Sequence, residues 1–552
     1  METKELSGEL YSTLIKGGAA NLRANAQIVN DLNVFPIPDG DTGENMSLTI
    51  TGGVTAAAHT AAVSLSDVSD TIANGMLLSA RGNSGVILSQ FFSGIAKGFT
   101  GSEKADVRTV GFAFRSGVRR AYESVMKPTE GTMLTVAREA TEYACNRITD
   151  DSTMESFFAD VLDEMNRSLE RTPQLLDVLR EAGVIDSGGA GLVYIIDGMN
   201  KTLQGEHISD AALTFGNKAV DTSKFTADSV MEFGYCTEFL LQLQSCKVDV
   251  NNFSIDPILE FLNSIGNSIV AFKTGTIVKV HVHTMTPGKV FDFCQQFGEF
   301  LTLKCENMTL QHNETIVKDE TKHKNAPTAA ERKKFATITV ATGDGIKETL
   351  KALGADIVID GGQGKNPSSE DFIEAFENVN AETIFVLPNN GNIVMAAQLA
   401  ADIYKDSKVT VIPSKSIGDG YAALSMLSYD SGDVETIANE MKESMQGVVT
   451  GEITRSVRDA NIDGVDIKNN DYIGFSGKNM LASNSDKLEA VTEMLSKLEA
   501  EKHEVMIAIY GNPATTEERR EFRRIAAEKF PRTEVYEIDG GQDVYDFEII
   551  LE

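Results

Sequence analysis

Asn33-Val34-Phe35-Pro36-Ile37-Pro38-Asp39-Gly40-Asp41-Thr42-Gly43-Glu44-Asn45-Met46 is the stretch on which the reading of this chain turns. Its two prolines keep it extended, because each bars the residue before it from the helical region. Asp39 and Asp41 are two apart with Gly40 between, so both carboxylates can turn to one point. Two carboxylates converging without a basic partner repel each other, and a hard cation such as Mg²⁺ resolves that repulsion. The competing reading is a surface turn with helix caps: Asp-Gly makes a common turn, and Thr42 or Asn45 suits an N-cap.

Working outward, residues 1–205 read as helix after helix. Residues 6–30 are rich in Ala, Leu and Asn. Residues 66–99 keep apolar side chains at three-to-four spacing, through Ile72, Met76, Leu77, Val86, Ile87, Phe91 and Phe92. Residues 108–126, 133–148 and 154–169 continue the pattern, and a last helix pair is expected over 173–181 and 189–203. Strand alternation is absent, so this part is expected to be all-α.

Two more of its joints are polar and Gly-rich. Ser79-Ala80-Arg81-Gly82-Asn83-Ser84-Gly85-Val86 offers two glycines and a hydroxyl, which let backbone N–H groups approach a phosphate at the start of a helix. A helix crossing that needs small residues explains the same stretch. Asp186-Ser187-Gly188-Gly189-Ala190-Gly191 is the third joint, ahead of an apolar helix. A rim of helix N-termini gathering phosphates and Mg²⁺ accounts for all three joints together. It is not a P-loop: no G-x-x-x-x-G-K-[ST] exists, and no strand is expected before any joint.

Near Thr222 the period changes. Residues 238–244 read as a strand, and 268–272 with 276–283 as a hairpin around Lys273-Thr274-Gly275. With helices over 257–265 and 287–297, a small α+β middle domain is expected over 222–317. Residues 318–334 are charged and almost without large apolar side chains, so they read as a linker. From 335 to 552 short β-branched runs (336–341, 356–360, 383–387, 409–412 and 505–510) alternate with helical patterns, which argues for a parallel sheet with crossover helices.

Composition bounds the function. The chain has 552 residues, with 81 Asp plus Glu against 50 Lys plus Arg, a net charge of −31. Such a surface repels phosphate backbones and anionic headgroups, so nucleic acid is not an expected partner, and no stable membrane insertion is expected. No apolar run approaches the roughly 18–20 residues of a membrane span, and the first residues do not read as a signal peptide. Five scattered Cys form no C-x-x-C pair, so a reducing, cytoplasmic setting is expected.

The joints carry a resemblance. Residues 33–46 with 80–90, Glu130-Gly131-Thr132-Met133 and 186–191 resemble the ATP-binding L subunit of dihydroxyacetone kinases, and more closely the bacterial fatty acid kinase A subunit. Gly234-Tyr235-Cys236-Thr237-Glu238 and Val280-His281-Val282-His283-Thr284 look like that family's middle domain. Gly361-Gly362-Gln363, Asn366-Pro367-Ser368 and Leu387-Pro388-Asn389-Asn390-Gly391-Asn392 look like its DegV-like α/β domain. The resemblance implies three domains: an all-helical barrel that binds ATP, a small α+β domain, and a DegV-like α/β domain.

It also implies roles. Asp39 and Asp41 match two of three Asp that hold two Mg²⁺ ions between the ATP phosphates; Asn33 is the nearest match to the third, one residue out of spacing. Asn45 matches a nucleotide-contacting Asn. Gly82, Asn83, Ser84 and Gly85 match the phosphate-cradling turn, Thr132 and Met133 the segment beside the adenine, and Asp186 an Asp that closes the pocket. Arg81 is either a cation that neutralises developing charge or a surface helix cation. Glu44, where relatives carry a small residue, is either a surface change or a perturbation of the metal site.

His281 and His283 are two apart on an expected strand and share a face. With Cys236 they make a set of Zn²⁺ ligands; the competing reading is two solvent-facing His and a free Cys. The function implied is an ATP-dependent kinase that phosphorylates the carboxylate of a fatty acid presented by a DegV-type carrier, with a homodimer as the family's assembly. In the DegV-like domain, docking of that carrier is expected rather than a retained lipid pocket. A dihydroxyacetone-type kinase of a small hydroxyl substrate and a non-catalytic nucleotide-sensing scaffold are the alternatives.

Overall fold

Six helices of the first 205 residues are entered through a capping side chain. Ser7, Ser64, Asp106, Thr132, Thr153 and Asp186 each accept a backbone N–H from the turn that follows. Such a cap contributes about 1 kcal/mol. The computed structural model describes residues 3–33, 40–58, 63–206, 235–250, 253–274, 276–307, 332–430 and 432–552. The chain divides into two units: residues 1–211 with 331–552, and residues 212–330.

The first unit begins with β1 (Glu5–Ser7), α1 (Gly8–Ala24), α2 (Ala26–Asp31), α3 (Thr42–Ala58), α4 (Leu65–Leu78) and α5 (Gly82–Gly98). There follow β2 (Lys104–Asp106), α6 (Val107–Glu123), α7 (Met133–Asn146), α8 (Met154–Leu175), α9 (Asp177–Ala182) and α10 (Ser187–Leu203). The expectation of an all-α region needs one correction: β1 and β2 pair antiparallel, three residues each, too short to show as alternation in sequence. A second correction concerns Pro173, which stands inside α8 rather than opening a new helix. Proline has no N–H to give the Leu169 carbonyl, and the Thr172 hydroxyl donates to that carbonyl at 2.7 Å instead. Around the buried core, Phe91, Phe92, Phe114, Phe157 and Phe158 meet edge to face, a geometry that adds to area burial.

The second unit holds β3 (Tyr235–Leu243), α11 (Asp256–Ile265), β4 (Gly266–Thr274), β5 (Ile277–Thr284), α12 (Pro287–Cys294) and β6 (Gly298–Asn307). Its sheet is antiparallel, in the order β4-β5-β3-β6. Phe239, Leu241, Leu243, Val278, Val280 and Val282 alternate along two strands into one core with Ile258 and Leu262 of α11. Strand β6 has no counterpart in the sequence reading. Residues 318–331 of the expected linker lie outside the described residues; Lys333 and Lys334, assigned to it, belong to the next strand.

The chain returns to the first unit with β7 (Lys333–Ala341), α13 (Asp344–Ala352), β8 (Ile357–Asp360), α14 (Ser369–Val379), β9 (Ala381–Leu387), α15 (Val394–Ile403), β10 (Lys408–Val411), α16 (Ile417–Ser425) and α17 (Val434–Ser444). These four strands are parallel, in the order β10-β9-β7-β8. The remainder differs from the expected parallel pattern. β11 (Val449–Arg455), β14 (Tyr472–Ser476), β15 (Asn479–Asn484), β16 (Val505–Tyr510), β17 (Glu534–Asp539) and β18 (Phe547–Leu551) form a mixed sheet, order β15-β14-β11-β18-β16-β17. Only β16 and β17 are parallel there. α18 (Lys487–Lys497) and α19 (Thr516–Lys529) pack on it, and β12 (Ala460–Ile462) with β13 (Val465–Ile467) makes a separate hairpin.

The helical part and the C-terminal part share core. Ala80 and Val86, flanking the second polar joint, are buried in one cluster with Phe372, Phe376, Ile393, Ala397 and Ala400. The Ser369 N–H donates to the Ala80 carbonyl at 3.2 Å, and Arg81 bridges Ser368 as a one-residue antiparallel ladder.

Candidate active site

Helix α5 starts without a side-chain cap. Arg81 is extended, Gly82 turns the chain with φ of +57°, and helix follows at once. The first-turn N–H groups therefore keep the positive end of the helix dipole uncovered. A Cβ on Gly82 would stand 2.7 Å from Asn45 Nδ2, so only glycine lets this turn close on α3. Beneath it, the Thr49 hydroxyl donates to the Asn45 carbonyl at 2.7 Å and accepts from Arg81 N–H at 3.4 Å. The Ser84 hydroxyl makes no hydrogen bond among the described residues.

Asp41 precedes α3. Neither Thr42 nor Asn45 caps that helix: Asn30 of α2 does, its Oδ1 accepting from Gly43 N–H at 2.7 Å. Asn45 is free to turn its buried amide to Asp41. Burial pushes the Asp41 carboxyl up to about 6; hydrogen bonds from the Asn45 and Asn366 amides act the other way, and the Glu44 charge adds to the rise. Asp41 has no ion-pair partner among the described residues. Glu44 itself is exposed. Asp39 lies outside the described residues.

The third joint meets the first. Ser187 Oγ lies 3.3 Å from Thr42 Oγ1. Asp186 caps α10 by accepting from Gly189 N–H at 2.6 Å. Burial pushes its carboxyl up to about 6, against the backbone N–H groups of Gly189 and Met133. Met133 packs against Gly188, and Thr132 caps α7. So Asp41, Asn45, the Gly82–Gly85 turn, Met133 and Asp186 occupy neighbouring helix ends. Asn33 stands apart: its carbonyl accepts from Arg458, and the residue borders a cavity in the C-terminal part. Arg81 also faces that part. Its Nη1 donates to the Asn366 carbonyl at 2.8 Å and lies 3.6 Å from Asp371 Oδ2.

The oxygen donors present suit a hard cation. Asp41 offers a half-buried carboxylate without a basic partner among the described residues, and Asn45 an amide beside it, oxygen donors of the kind Mg²⁺ takes. Sequence reasoning missed Asn30, Asn366 and Arg458, whereas Ser368 with Asp371 read as a helix start and does form a capping box. Asn366 belongs to a block singled out as a strand-end loop, but nothing local pairs it with Asp41.

In the middle domain the antiparallel register sets Cys236 opposite His283 and Glu238 opposite His281. The side chains of Cys236, His281 and His283 lie outside those described. No group of three His, Cys, Asp or Glu that could hold a metal occurs among the described residues, and the expected Zn²⁺ ligands are not among the side chains described.

A cavity of about 340 Å³ lies in the C-terminal part, at the ends of β7 and β9 and the facing sheet. Gln363, Asn389, Asn390 and Gln542 give it an amide lining, with Glu452 and Glu548. Among the described residues no helix is long and apolar enough to cross a membrane.

Residues 36–201, which carry these helix ends, match the DAK2 domain. Residues 232–315 and 336–552 match the FakA-like middle and C-terminal domains, the A-type chain of fatty acid kinase. The chain is 37% identical over 561 residues to protein YloV of Bacillus subtilis (strain 168), covering 100% of both. It is 38% identical over 553 residues to an uncharacterised protein of Staphylococcus aureus (strain USA300), covering 98% of each. The chain belongs to the FakA-like family of fatty acid kinase chains. Among solved structures it is similar to the dihydroxyacetone kinase from C. freundii in complex with AMP-PNP and Mg²⁺, at 18% identity and TM-score 0.28, over 36% of this chain and 35% of that one. A fatty-acid-binding DegV family protein from Thermus thermophilus matches at 15% identity and TM-score 0.31, over 40% of this chain and 99% of that one.

Proposed function

We propose that this chain is the ATP-dependent catalytic component of a fatty acid kinase. It transfers the γ-phosphoryl of ATP to the carboxylate of a fatty acid presented by a DegV-type carrier, and the product is an acyl phosphate. The observation that carries the reading is the placement of a half-buried Asp41, without an ion-pair partner among the described residues, beside the uncapped start of α5.

Mg²⁺, when bound with ATP, supplies charge neutralisation between the phosphates. Asp39 and Asp41 are the residues to hold it, with Asn45 beside them. The N–H groups of Gly82, Asn83, Ser84 and Gly85 receive phosphate oxygens at the positive end of α5. Met133 and Thr132 border the adenine, and Asp186 closes the pocket by tying the start of α10 to that of α7. Arg81, held by Asn366 and Asp371, braces the turn from the C-terminal side. The acceptor is already a carboxylate, so no general base is required, and the site's work is positioning and neutralisation.

The test is ATP turnover with and without a DegV-type carrier loaded with a fatty acid. Turnover that depends on the loaded carrier supports the reading. Turnover with dihydroxyacetone and no carrier would assign a small hydroxyl substrate instead, and nucleotide binding without turnover in any mixture would leave a sensing scaffold.

A further inference from the structure

Asn366 belongs to the C-terminal part, yet its Nδ2 donates to Asp41 Oδ2 at 2.5 Å, across 325 residues of sequence. It is 4% exposed, so the contact is shielded from water. Its own carbonyl is held by Arg81, and the adjoining backbone is held by the Ser369–Ala80 hydrogen bond. Nearby, Asn83 Nδ2 donates to Asn392 Oδ1 at 3.3 Å. The buried Oδ1 atoms of Asn83 and Asn366 have no hydrogen-bond partner among the described residues. Buried acceptors without donors are costly unless something else satisfies them. The Asn366 amide, in contact with the Asp41 carboxylate, is placed to take part in a hydrated cation's shell.

We propose that Asn366 is a positioning residue of the nucleotide site, supplied in cis by the C-terminal domain. Its amide fixes one oxygen of the Asp41 carboxylate, which orients the remaining lone pairs toward the cation. This rests on the reading of Asp41 as a Mg²⁺ ligand. Groups that orient a metal ligand typically change metal affinity by about 10–100-fold when removed. The kinase site is thus built from both ends of the chain, and the C-terminal domain does more than receive a carrier.

The experiment uses the full chain and a non-hydrolysable ATP analogue, with Mg²⁺ affinity measured by calorimetry. Asn366→Ala raises the Mg²⁺ Kd about tenfold or more. Asn366→Leu, which keeps the volume and loses the donor, does the same. In an Asp41→Ala background the further change Asn366→Ala adds nothing, because the carboxylate it orients is gone. A purely structural role predicts equal losses in both backgrounds, and that result overturns the proposal. So does wild-type Mg²⁺ affinity in both Asn366 variants while Asp41→Ala is impaired. Wild-type affinity in Asp41→Ala overturns the reading of the site itself, and this inference with it.

Discussion

Glu548 lies directly opposite Glu452 across the antiparallel pair β11–β18, and both border the same cavity. Glu548 is 6% exposed, and burial pushes its carboxyl up to about 8. The folded chain therefore holds a proton that the unfolded chain releases near the ordinary Glu value of about 4.3.

This sets a sign. Between the unfolded value and about 8 the folded state binds the extra proton, so its contribution to stability is full at the acid end and is lost as pH rises. Glu548→Gln removes that slope. Denaturant midpoints from pH 5 to 9 check it: the wild-type curve falls more steeply than the variant's, and parallel curves would refute the assignment.

Asp39→Asn and Asp41→Asn are each expected to lower turnover at least a hundredfold, since a metal at a phosphoryl site supplies several kcal/mol of transition-state stabilisation. Melting temperature should hold in the absence of Mg²⁺, because Asp41 has no ion pair among the described residues and ionises against its burial. Near-normal activity in both variants would remove them from the site.

Gly82→Ala places a side chain at φ +57° and within 2.7 Å of Asn45 Nδ2. The backbone strain alone costs about 1–2 kcal/mol, and the displaced Asn45 no longer faces Asp41. Both a lower melting temperature and weaker ATP binding are expected. Gly101→Ala, also at positive φ but facing open space, should show the first effect without the second.

Lys487 is 6% exposed and lies 2.5 Å from Asp546 Oδ1, with Glu518 Oε1 at 3.0 Å. Removing one partner of such a buried pair costs about 3–5 kcal/mol. Lys487→Ala should therefore unfold at much lower denaturant, with its ATP affinity unchanged where the variant is folded.

Residues that act on near neighbours were legible in the sequence. The period of α4 to α8, the Gly82 turn and the alternation of β5 all depend on contacts a few positions apart. Pro173 misled because its helix continues only with the help of the Thr172 hydroxyl. The second sheet was hidden for a related reason: Gly451 and Gly474 interrupt β11 and β14, β12 and β13 have three residues each, and Glu548 breaks the apolar run of β18. The convergence of Ser187 and Thr42 was visible only as a shared composition of joints. The Asn366–Asp41 contact was not visible at all, since no local pattern encodes a partner so far along the chain.

That separation also imposes an order in time. A ribosome adds about 5–20 residues per second. The 325 residues between Asp41 and Asn366 thus take roughly 15 to 65 s to make. Throughout that interval the helical part can collapse around its phenylalanines, while Ala80 and Val86 still lack the apolar partners that later cover them. The contact between Asp41 and Asn366 therefore waits until residue 366 has been made, long after the helical part that carries Asp41 is complete.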